Sequence, residues 1–334
     1  MAARRLTALT LTAGAALLLT STPALAEPKP SLEQVQRQVD DLYEEAEADT
    51  EQYNGLNEKQ GQLQARAGTL QQEVATQQDQ LNRLRETLGA VAAEQYRSNG
   101  VDPTLQLMLT ADADGYLEGA GLQDVAAETQ VETLRRLAAQ QRKLDQLRDE
   151  TAAQLAGLDQ ARRAAAGKKE EVQAKLAKVQ SILNGLKAED RAKVSAGTAG
   201  GGAAASRSSS ARMPYSGPAT GRVKDILTFA YAQLGKPYVY GAAGPNSFDC
   251  SGLTLRAFAA GGISLPRTSQ AQFGAGKAIA RDQLQPGDLV FYYNDLHHVG
   301  IYIGNGQLLH APRTGKNVEI VPYDVMPYAG AMRY

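Results

Sequence analysis

An apolar stripe that repeats every 3.5 residues runs along the first third of the chain and constrains its fold most. From Leu32 to Val91, fifteen of the eighteen positions spaced alternately three and four residues apart are apolar. The three exceptions are Asp49, Gln60 and Gln77. A stripe of this period, sustained over about eight heptads, is typical of a coiled coil rather than of an amphipathic helix on a globular core.

A second apolar stripe of the same period follows further along the chain. Eleven of the sixteen grid positions between Leu134 and Leu186 are apolar, although polar residues such as Arg148 and Arg162 interrupt the middle. Two arms of similar length predict an antiparallel hairpin within one chain, and a parallel dimer is the alternative that buries the same stripes. Residues 27–192 are therefore expected to form an all-α coiled-coil domain.

The periodic pattern breaks between the two arms. Asn99-Gly100 and Asp102-Pro103 are turn and helix-start signals, and an apolar group from Leu105 to Leu109 follows them. These apolar residues have no stripe of their own to join. They either pack on the end of the hairpin or form a docking surface for another protein, and both interpretations stay open at this point.

The segment from Met1 to Ala26 has the pattern of a secretory signal. Two arginines form the positive start, an apolar run follows, and Ala24-Leu25-Ala26 is a small-residue cleavage site. The predicted mature chain begins after Ala26 and acts outside the cell or in the cell envelope. The paired arginines leave general secretion and twin-arginine export both open.

Composition divides the rest of the mature chain in two. Residues 193–217 are rich in Gly, Ser and Ala and predict a flexible linker. All five Phe and nine of the fourteen Tyr residues lie in 218–334, which predicts a compact domain there because aromatic side chains dominate globular cores. That segment has ten Lys/Arg and seven Asp/Glu without a basic patch, which argues against nucleic acid as a partner.

The single cysteine, Cys250, lies in the same C-terminal region as all three histidines and precedes them. An unpaired cysteine in an exported protein is a reactive thiol, an intermolecular link or a buried inert residue, and neutral imidazole is the usual group that takes a thiol proton. Cys250 opens a predicted helix, whose dipole is expected to lower the pKa of the thiol. Adjacent His297 and His298 diverge on a strand and lack zinc-ligand spacing, so neither a metal nor another cofactor is expected.

Local patterns predict an α+β layout for the C-terminal domain. A helix over 222–234 and the helix that begins at Cys250 precede three apolar segments separated by turns, which predict consecutive antiparallel strands. On such a strand His298 shares a face with Gly300, and we expect the space beside Gly300 to admit the thiol. His297 is expected to point the opposite way as an exposed neighbour. The predicted strands are 288–293, 299–303 and 307–310.

Five ordered sequence blocks carry a resemblance to a known family. The blocks are Gly235–Gly241, Phe248–Leu253, Gln285–Phe291, His298–Gly304 and His310–Pro312. Together they resemble the NlpC/P60 family of secreted, papain-like cysteine peptidases that cut bacterial peptidoglycan stem peptides. The resemblance covers about 217–334 and implies a helix bearing the cysteine packed on an antiparallel sheet. The sequence departs from the family at Tyr240-Gly241-Ala242, where an aromatic residue is usually followed by two glycines.

The resemblance implies roles for individual residues. Cys250 matches the nucleophile and His298 matches the general base. His310 matches the polar residue that orients the base. Three further positions match residues that surround the thiol and hold the substrate or the oxyanion: Tyr238, Asp249 and Ser251.

The resemblance also implies a function for the whole chain. It is similar to D,L-endopeptidases that hydrolyse the bond between D-Glu and the diamino acid of the stem peptide, in cell-wall remodelling or division. The coiled coil is then expected to control the enzyme, with its tip contacting a membrane-anchored division complex. The alternatives are a structural adaptor that only binds wall peptide, and a thiol amidase or acyltransferase that acts on another substrate.

Overall fold

The computed structural model describes residues 30–97, 105, 108–109, 113–197 and 215–334. The predicted signal segment and residues 198–214 of the predicted linker lie outside the described residues. Within the part that is described, no helix has the length and apolar character needed to cross a membrane.

Two long helices form an antiparallel hairpin. They are α1 (Leu32–Arg97) and α2 (Ala113–Gly185). Arg66 on α1 contacts Glu150 on α2 at 2.7 Å, and further along α1 the Arg85 guanidinium donates to the side chain of Gln141 at 3.0 Å. Residue numbers rise on one helix as they fall on the other, so the predicted hairpin within one chain is confirmed. Buried stripe residues line the interface: Val39, Leu70, Leu81, Leu144, Val172 and Val179.

One polar exception in the apolar stripe has a specific partner set. The Asp49 carboxylate is buried and accepts hydrogen bonds from Lys168 at 3.1 Å and from Lys175 at 2.6 Å. Both lysines come from α2. A buried carboxylate is stable in this seam because two ammonium groups from the opposite helix compensate for its lost hydration.

A third helix, α3 (Ala188–Gly197), folds back on the base of the hairpin. Val194 on α3 is fully buried against a cluster that includes Val35 and Val179. The Arg191 side chain donates to the backbone carbonyl of Leu183 at 2.8 Å, which holds the turn that precedes α3. Helical structure therefore continues to Gly197, inside the range predicted as linker.

The C-terminal domain contains three short helices and one six-stranded sheet. Every strand pair is antiparallel, and the order is β1-β6-β2-β3-β4-β5. The predicted strands are confirmed as β2 to β4, whereas the return of β6 beside β2 was not predicted. The elements are α4 (Gly221–Tyr231), α5 (Cys250–Ala260), α6 (Ser269–Ala275), β1 (Lys277–Ala278), β2 (Leu289–Tyr292), β3 (His298–Gly304), β4 (Gln307–His310), β5 (Glu319–Pro322) and β6 (Tyr328–Arg333).

The cysteine-bearing helix packs on one face of this sheet. Leu253 and Phe258 of α5 are fully buried in the same cluster as Phe291 and Ile301 of the sheet. A Cβ added at Gly300 would lie 2.7 Å from the side chain of Leu308. The space beside Gly300 is therefore filled by that leucine, and the expectation that it admits the thiol is wrong.

Candidate active site

Cys250 is the first residue of α5, as predicted from the sequence. The preceding residue, Asp249, has extended backbone and its carboxylate accepts the backbone N–H of Gly252 at 2.7 Å. This N-cap fixes where the helix begins and therefore where the thiol lies. Cys250 and Asp249 are both fully buried.

The two histidines of the expected triad meet at the ends of adjacent strands. His298 begins β3 and His310 ends β4, and His298 Nε2 lies 2.8 Å from His310 Nδ1. Burial and the neighbouring His297 lower the pKa of His298 to about 3. Burial, followed by His298, holds the pKa of His310 well below its ordinary value. Both imidazoles are therefore neutral at pH 7, as a proton acceptor and its orienting partner require.

His297 does not take the exposed position expected for it. Its ring is 5% exposed and stacks on Tyr293 with centroids 4.1 Å apart. Its Nδ1 lies 2.5 Å from the Asp295 carboxylate, while its backbone carbonyl is 3.7 Å from Cys250 Sγ. The reason is that the turn before β3 folds over the site, so both faces at this position are covered.

A side chain from the coiled coil enters the site beside His298. The carboxylate of Glu47 on α1 makes a short hydrogen bond with His298 Nδ1, on the opposite side of the ring from His310. Glu47 Oε, Cys250 Sγ and a ring nitrogen of His298 all lie within 4.8 Å of one another. Glu47 thus occupies the ring nitrogen that a thiol proton would have to reach, although it belongs to the other domain of the chain.

A second α1 carboxylate fills the space on the other side of the thiol. Glu51 accepts hydrogen bonds from Ser251 Oγ at 2.7 Å and from the backbone N–H of Ser269 at 2.6 Å. The Ser269 hydroxyl lies 3.0 Å from the same carboxylate, and Cys250 Sγ lies 3.9 Å from it. Two serines of the catalytic domain therefore form a fitted pocket for a carboxylate, and α1 supplies its occupant.

A third α1 residue contacts the N-cap of the cysteine helix. The Asn54 amide donates to Asp249 Oδ2 at 3.1 Å. Arg267 donates to the same carboxylate at 2.5 Å and to Ser251 Oγ at 2.8 Å. Asp249 is consequently satisfied by a backbone amide, a guanidinium and a side-chain amide, which is what a fully buried carboxylate requires.

Burial dominates the electrostatics of the site. It raises the pKa of Glu47 to about 8, and burial together with Asp249 raises the pKa of Glu51 to about 7. Burial, followed by the two α1 carboxylates, raises the pKa of the Cys250 thiol well above its ordinary value. The expectation that the helix dipole lowers the thiol pKa is wrong for this arrangement, because desolvation and nearby carboxylates outweigh the dipole.

Tyr238 lies beside the same group of residues. Its side chain is buried, and burial followed by Glu47 raises the pKa of its hydroxyl well above the ordinary value. Its backbone pairs with Phe248 just before the cysteine helix. The hydroxyl is therefore a neutral donor near the thiol.

The hairpin also contacts the rim of the site. The Arg313 guanidinium lies 3.8 Å from the ring centroid of Tyr43 on α1, and Gln173 on α2 donates to the Tyr240 hydroxyl at 3.1 Å. Lys316 donates to the backbone carbonyl of Ser195 on α3 at 3.0 Å. The helices α1, α2 and α3 thus each contact the C-terminal domain.

The structure brings all six sequence-predicted site residues together and adds five that the sequence did not indicate. The additions are Glu47, Glu51, Asn54, Arg267 and Ser269. The three on α1 are spaced i, i+4 and i+7, so they share one helix face outside the apolar stripe. That spacing is the one feature of the sequence that relates the three residues to each other, and a polar helix face exposed to solvent has the same spacing.

The C-terminal region matches a known family and several of its members. A model described as the NlpC/P60 family matches residues 235–331. A probable endopeptidase of Corynebacterium glutamicum is 44% identical over 117 residues, which are 35% of this chain and 56% of that protein. The p60 probable endopeptidase of Listeria monocytogenes is 47% identical over 111 residues, 33% of this chain and 22% of that protein. The chain thus spans little more than half, or less, of these relatives.

Solved structures are also similar to this chain. An NlpC/P60 family protein from Bacillus cereus is 38% identical, covers 34% of this chain and 40% of its own, and has a TM-score of 0.33. The peptidoglycan hydrolase RipB from Mycobacterium tuberculosis is 32% identical, covers 34% of this chain and 64% of its own, and has a TM-score of 0.32. Through residues 235–331, this chain belongs to the NlpC/P60 family.

Proposed function

We propose that this protein is an exported peptidoglycan D,L-endopeptidase whose own coiled coil holds it inactive until α1 is displaced. The observation that carries the proposal is the position of Glu47. Its carboxylate takes the His298 nitrogen that faces the cysteine helix, while His310 holds the other nitrogen at 2.8 Å. Cys250, His298 and His310 are thus assembled as nucleophile, base and orienting residue, while the Glu47 carboxylate keeps the Cys250 thiol from the base.

The chemistry begins when α1 leaves. His298 Nδ1 then accepts the Cys250 proton, and the thiolate attacks the carbonyl carbon of the scissile amide. The protonated His298 gives that proton to the departing amine, which breaks the C–N bond and leaves a thioester on Cys250. His298 then deprotonates a water molecule, which attacks the thioester carbonyl carbon. The C–S bond breaks, the acid product leaves, and the protonated His298 returns its proton to Cys250. The charge on the carbonyl oxygen is stabilised by the backbone N–H of Cys250 and the neutral hydroxyl of Tyr238.

His310 acts by positioning the base. Its Nδ1 lies 2.8 Å from His298 Nε2. In the proposed mechanism it accepts the Nε2–H of His298, which fixes the tautomer whose lone pair is on Nδ1. Without that hydrogen bond the ring can hold its proton on the wrong nitrogen. The arrangement is the recurring one in which a third group orients the base of a nucleophile–base pair.

The substrate class rests on family membership and on the site. Relatives named endopeptidases, and a neighbour named a peptidoglycan hydrolase, support wall stem peptides as substrates. Hydrolysis at the bond between D-Glu and the diamino acid is the finer proposal from the sequence resemblance. It agrees with the presence of a fitted carboxylate pocket, made by Ser251 and Ser269, within hydrogen-bonding range of the thiol region.

The inhibitory role of α1 follows from three effects of its packing on the C-terminal domain, an arrangement that we call docking. Glu47 blocks proton transfer to His298, and Glu51 fills the pocket next to the thiol. Docking also buries Cys250 completely and keeps it as the neutral thiol, which is a poor nucleophile. Each effect alone would slow the reaction, and all of them end when the helix moves away.

The tip of the hairpin supports a proposal for release. Leu105, Met108 and Leu109 are 57%, 69% and 77% exposed, so these apolar residues do not pack on the end of the hairpin. We propose that they dock on a membrane-anchored division complex, which pulls or bends the hairpin. Replacing all three with Ser is expected to abolish septal localisation of a fluorescent fusion, and unchanged localisation would contradict this part of the proposal.

Digestion of purified sacculi tests the activity and separates the alternatives. The mature chain carrying Glu47→Ala and Glu51→Ala is incubated with sacculi, and the released fragments are analysed by mass spectrometry beside the same chain with Cys250→Ala added. New fragments ending in D-Glu, with a matching new amino terminus on the diamino acid, are expected only when Cys250 is present. No new fragments would favour a wall-binding adaptor, and products carrying a transferred acyl group would favour an acyltransferase.

A further inference from the structure

Three potential metal ligands from distant parts of the chain converge at the blocked site. They are Glu47 from α1, Cys250 from α5 and His298 from β3, and their ligand atoms lie within 4.8 Å of one another. All three residues are buried. Neither domain contains the whole group, because the carboxylate belongs to the hairpin and the sulfur and nitrogen belong to the catalytic domain.

The donor set fits a borderline-soft divalent ion. Thiolate, imidazole and carboxylate are the three ligand types that zinc takes in proteins, with bonds of about 2.0–2.3 Å. Tetrahedral zinc with such bonds separates its ligand atoms by about 3.3–3.7 Å. The three ligand atoms lie within 4.8 Å of one another, and Glu47 and His298, which share a short hydrogen bond, would move apart to admit the ion. One thiolate and one carboxylate also balance the two charges of the ion, so the bound site is neutral in its buried setting.

The surroundings hold the imidazole in the orientation that a ligand needs. His298 Nε2 lies 2.8 Å from His310 Nδ1. In the tautomer that donates Nε2–H to His310, Nδ1 of His298 carries the lone pair on the side of Glu47 and Cys250. A hydrogen bond on the other ring nitrogen is the usual support of a histidine metal ligand. Glu51 Oε1 lies 3.9 Å from Cys250 Sγ, and either a water molecule or the neutral Glu51 acid can fill the fourth position without changing that charge balance.

We propose that Glu47, Cys250 and His298 form a zinc-type metal site that clamps α1 onto the catalytic domain. The inference rests on the docked hairpin of the proposed function and names a second way in which that state is controlled. Binding replaces the hydrogen bond between Glu47 and His298 with bonds to the ion, and ligand protons pass to solvent. The thiolate then becomes a metal ligand and loses its nucleophilic lone pair. Because only the docked state supplies all three donors, the ion favours docking.

Metal binding to the full mature chain tests this site directly. The metal-stripped protein is titrated with Zn²⁺ against a chromogenic chelator, and with Co²⁺ while its absorption spectrum is recorded. One ion per chain and a thiolate-to-cobalt charge-transfer band are expected. Glu47→Gln is expected to weaken Zn²⁺ binding by about tenfold or more, as loss of one of three ligands requires. Glu86→Gln, an exposed change on the same helix, is expected to leave the affinity unchanged.

Two results would overturn the proposal. Absence of the charge-transfer band would remove Cys250 as a ligand. Equal affinities of the native chain and the Glu47→Gln variant, with equal helical circular dichroism, would place the ion on the thiol–imidazole pair alone. Neither measurement depends on peptide hydrolysis, so loss of the proposed enzymatic activity and loss of the metal site are distinguishable.

Discussion

Replacing Glu51 with Ala is expected to open the blocked site, and the single cysteine of the chain makes this measurable. Glu51 accepts the hydroxyl of Ser251 at 2.7 Å and the backbone N–H of Ser269 at 2.6 Å, and both donors are buried. In the docked state of the variant these donors have no acceptor from α1. When α1 leaves, water can accept hydrogen bonds from both donors. The free-energy cost of the missing hydrogen bonds therefore falls on the docked state alone.

The size of the effect follows from the two lost acceptor contacts. A buried donor left without a partner costs about 1–3 kcal/mol. The Ser251 hydroxyl can still turn to Asp249 Oδ1 at 3.4 Å and therefore costs less than the Ser269 N–H, so the two losses together weaken docking by about 2–4 kcal/mol. Since about 1.4 kcal/mol is a factor of ten, the population of the undocked state is expected to rise about 30- to 1000-fold. The reacting thiol is the one in the undocked state, where residue 51 is distant, so its intrinsic reactivity is the same in both proteins.

Alkylation of Cys250 followed by intact mass spectrometry gives the rate. Iodoacetamide and a bulky maleimide are compared on the mature chain, on Glu51→Ala and on the exposed control Glu86→Ala. Both reagents are expected to react about 30-fold faster or more with Glu51→Ala, and the control is expected to match the native chain. Equal rates would refute the reasoning. An increase for iodoacetamide alone would mean that the substitution opens a local channel and leaves α1 docked.

Three further predictions concern pH and stability. Burial raises the pKa of Glu47 from 4.5 to about 8 and that of Glu51 from 4.5 to about 7, so docking takes up protons and weakens as pH rises from 6.5 to 8. The alkylation rate of the native chain, divided by that of the Glu47→Gln/Glu51→Gln double variant, is expected to rise across that window. A ratio that stays constant would contradict this prediction. Below pH 6.5 the lowered pKa of His298 opposes docking, which is why the window starts there. Asp249→Ala leaves the buried Arg267 guanidinium without its carboxylate partner, and it is expected to lower the free energy of unfolding, measured in urea, by about 3–5 kcal/mol. Asp249→Asn is expected to lower it by less. Equal losses for the two variants would contradict the ion-pair argument. Asp49→Asn removes the negative charge that two lysines share and one of its two acceptor oxygens. It is expected to lower the hairpin's thermal midpoint, measured by circular dichroism, below that of the exposed control Asp79→Asn.

Features with a local physical cause were predictable from the sequence. The stripe from Leu32 to Val91 predicts the coiled coil because one helix face repeats every two turns. The helix that begins at Cys250 and the strands β2 to β4 follow from turns and alternating burial. The meeting of Cys250, His298 and His310 was expected through family resemblance, since no local rule brings a helix start next to two strand ends.

Features that depend on long-range packing were not predictable. The return of β6 beside β2 depends on pairing between segments that are separated in sequence by three other strands. Glu47 and Glu51 look like any solvated helix face until the catalytic domain packs on them. The thiol pKa was expected to fall because the start of the helix is visible in the sequence. The burial and the two α1 carboxylates that raise it instead come from tertiary packing.

The rate of fragment release from sacculi tests the central claim most directly. The native mature chain is compared with the Glu47→Ala/Glu51→Ala double variant under identical conditions, and the Cys250→Ala chain gives the background rate. The account predicts that the double variant releases stem-peptide fragments about 30-fold faster or more, since each carboxylate lost from the site weakens docking by about 1 kcal/mol or more, which is about 2 kcal/mol for the pair. Equal initial rates for the two active proteins would contradict the claim that α1 holds the thiol inactive.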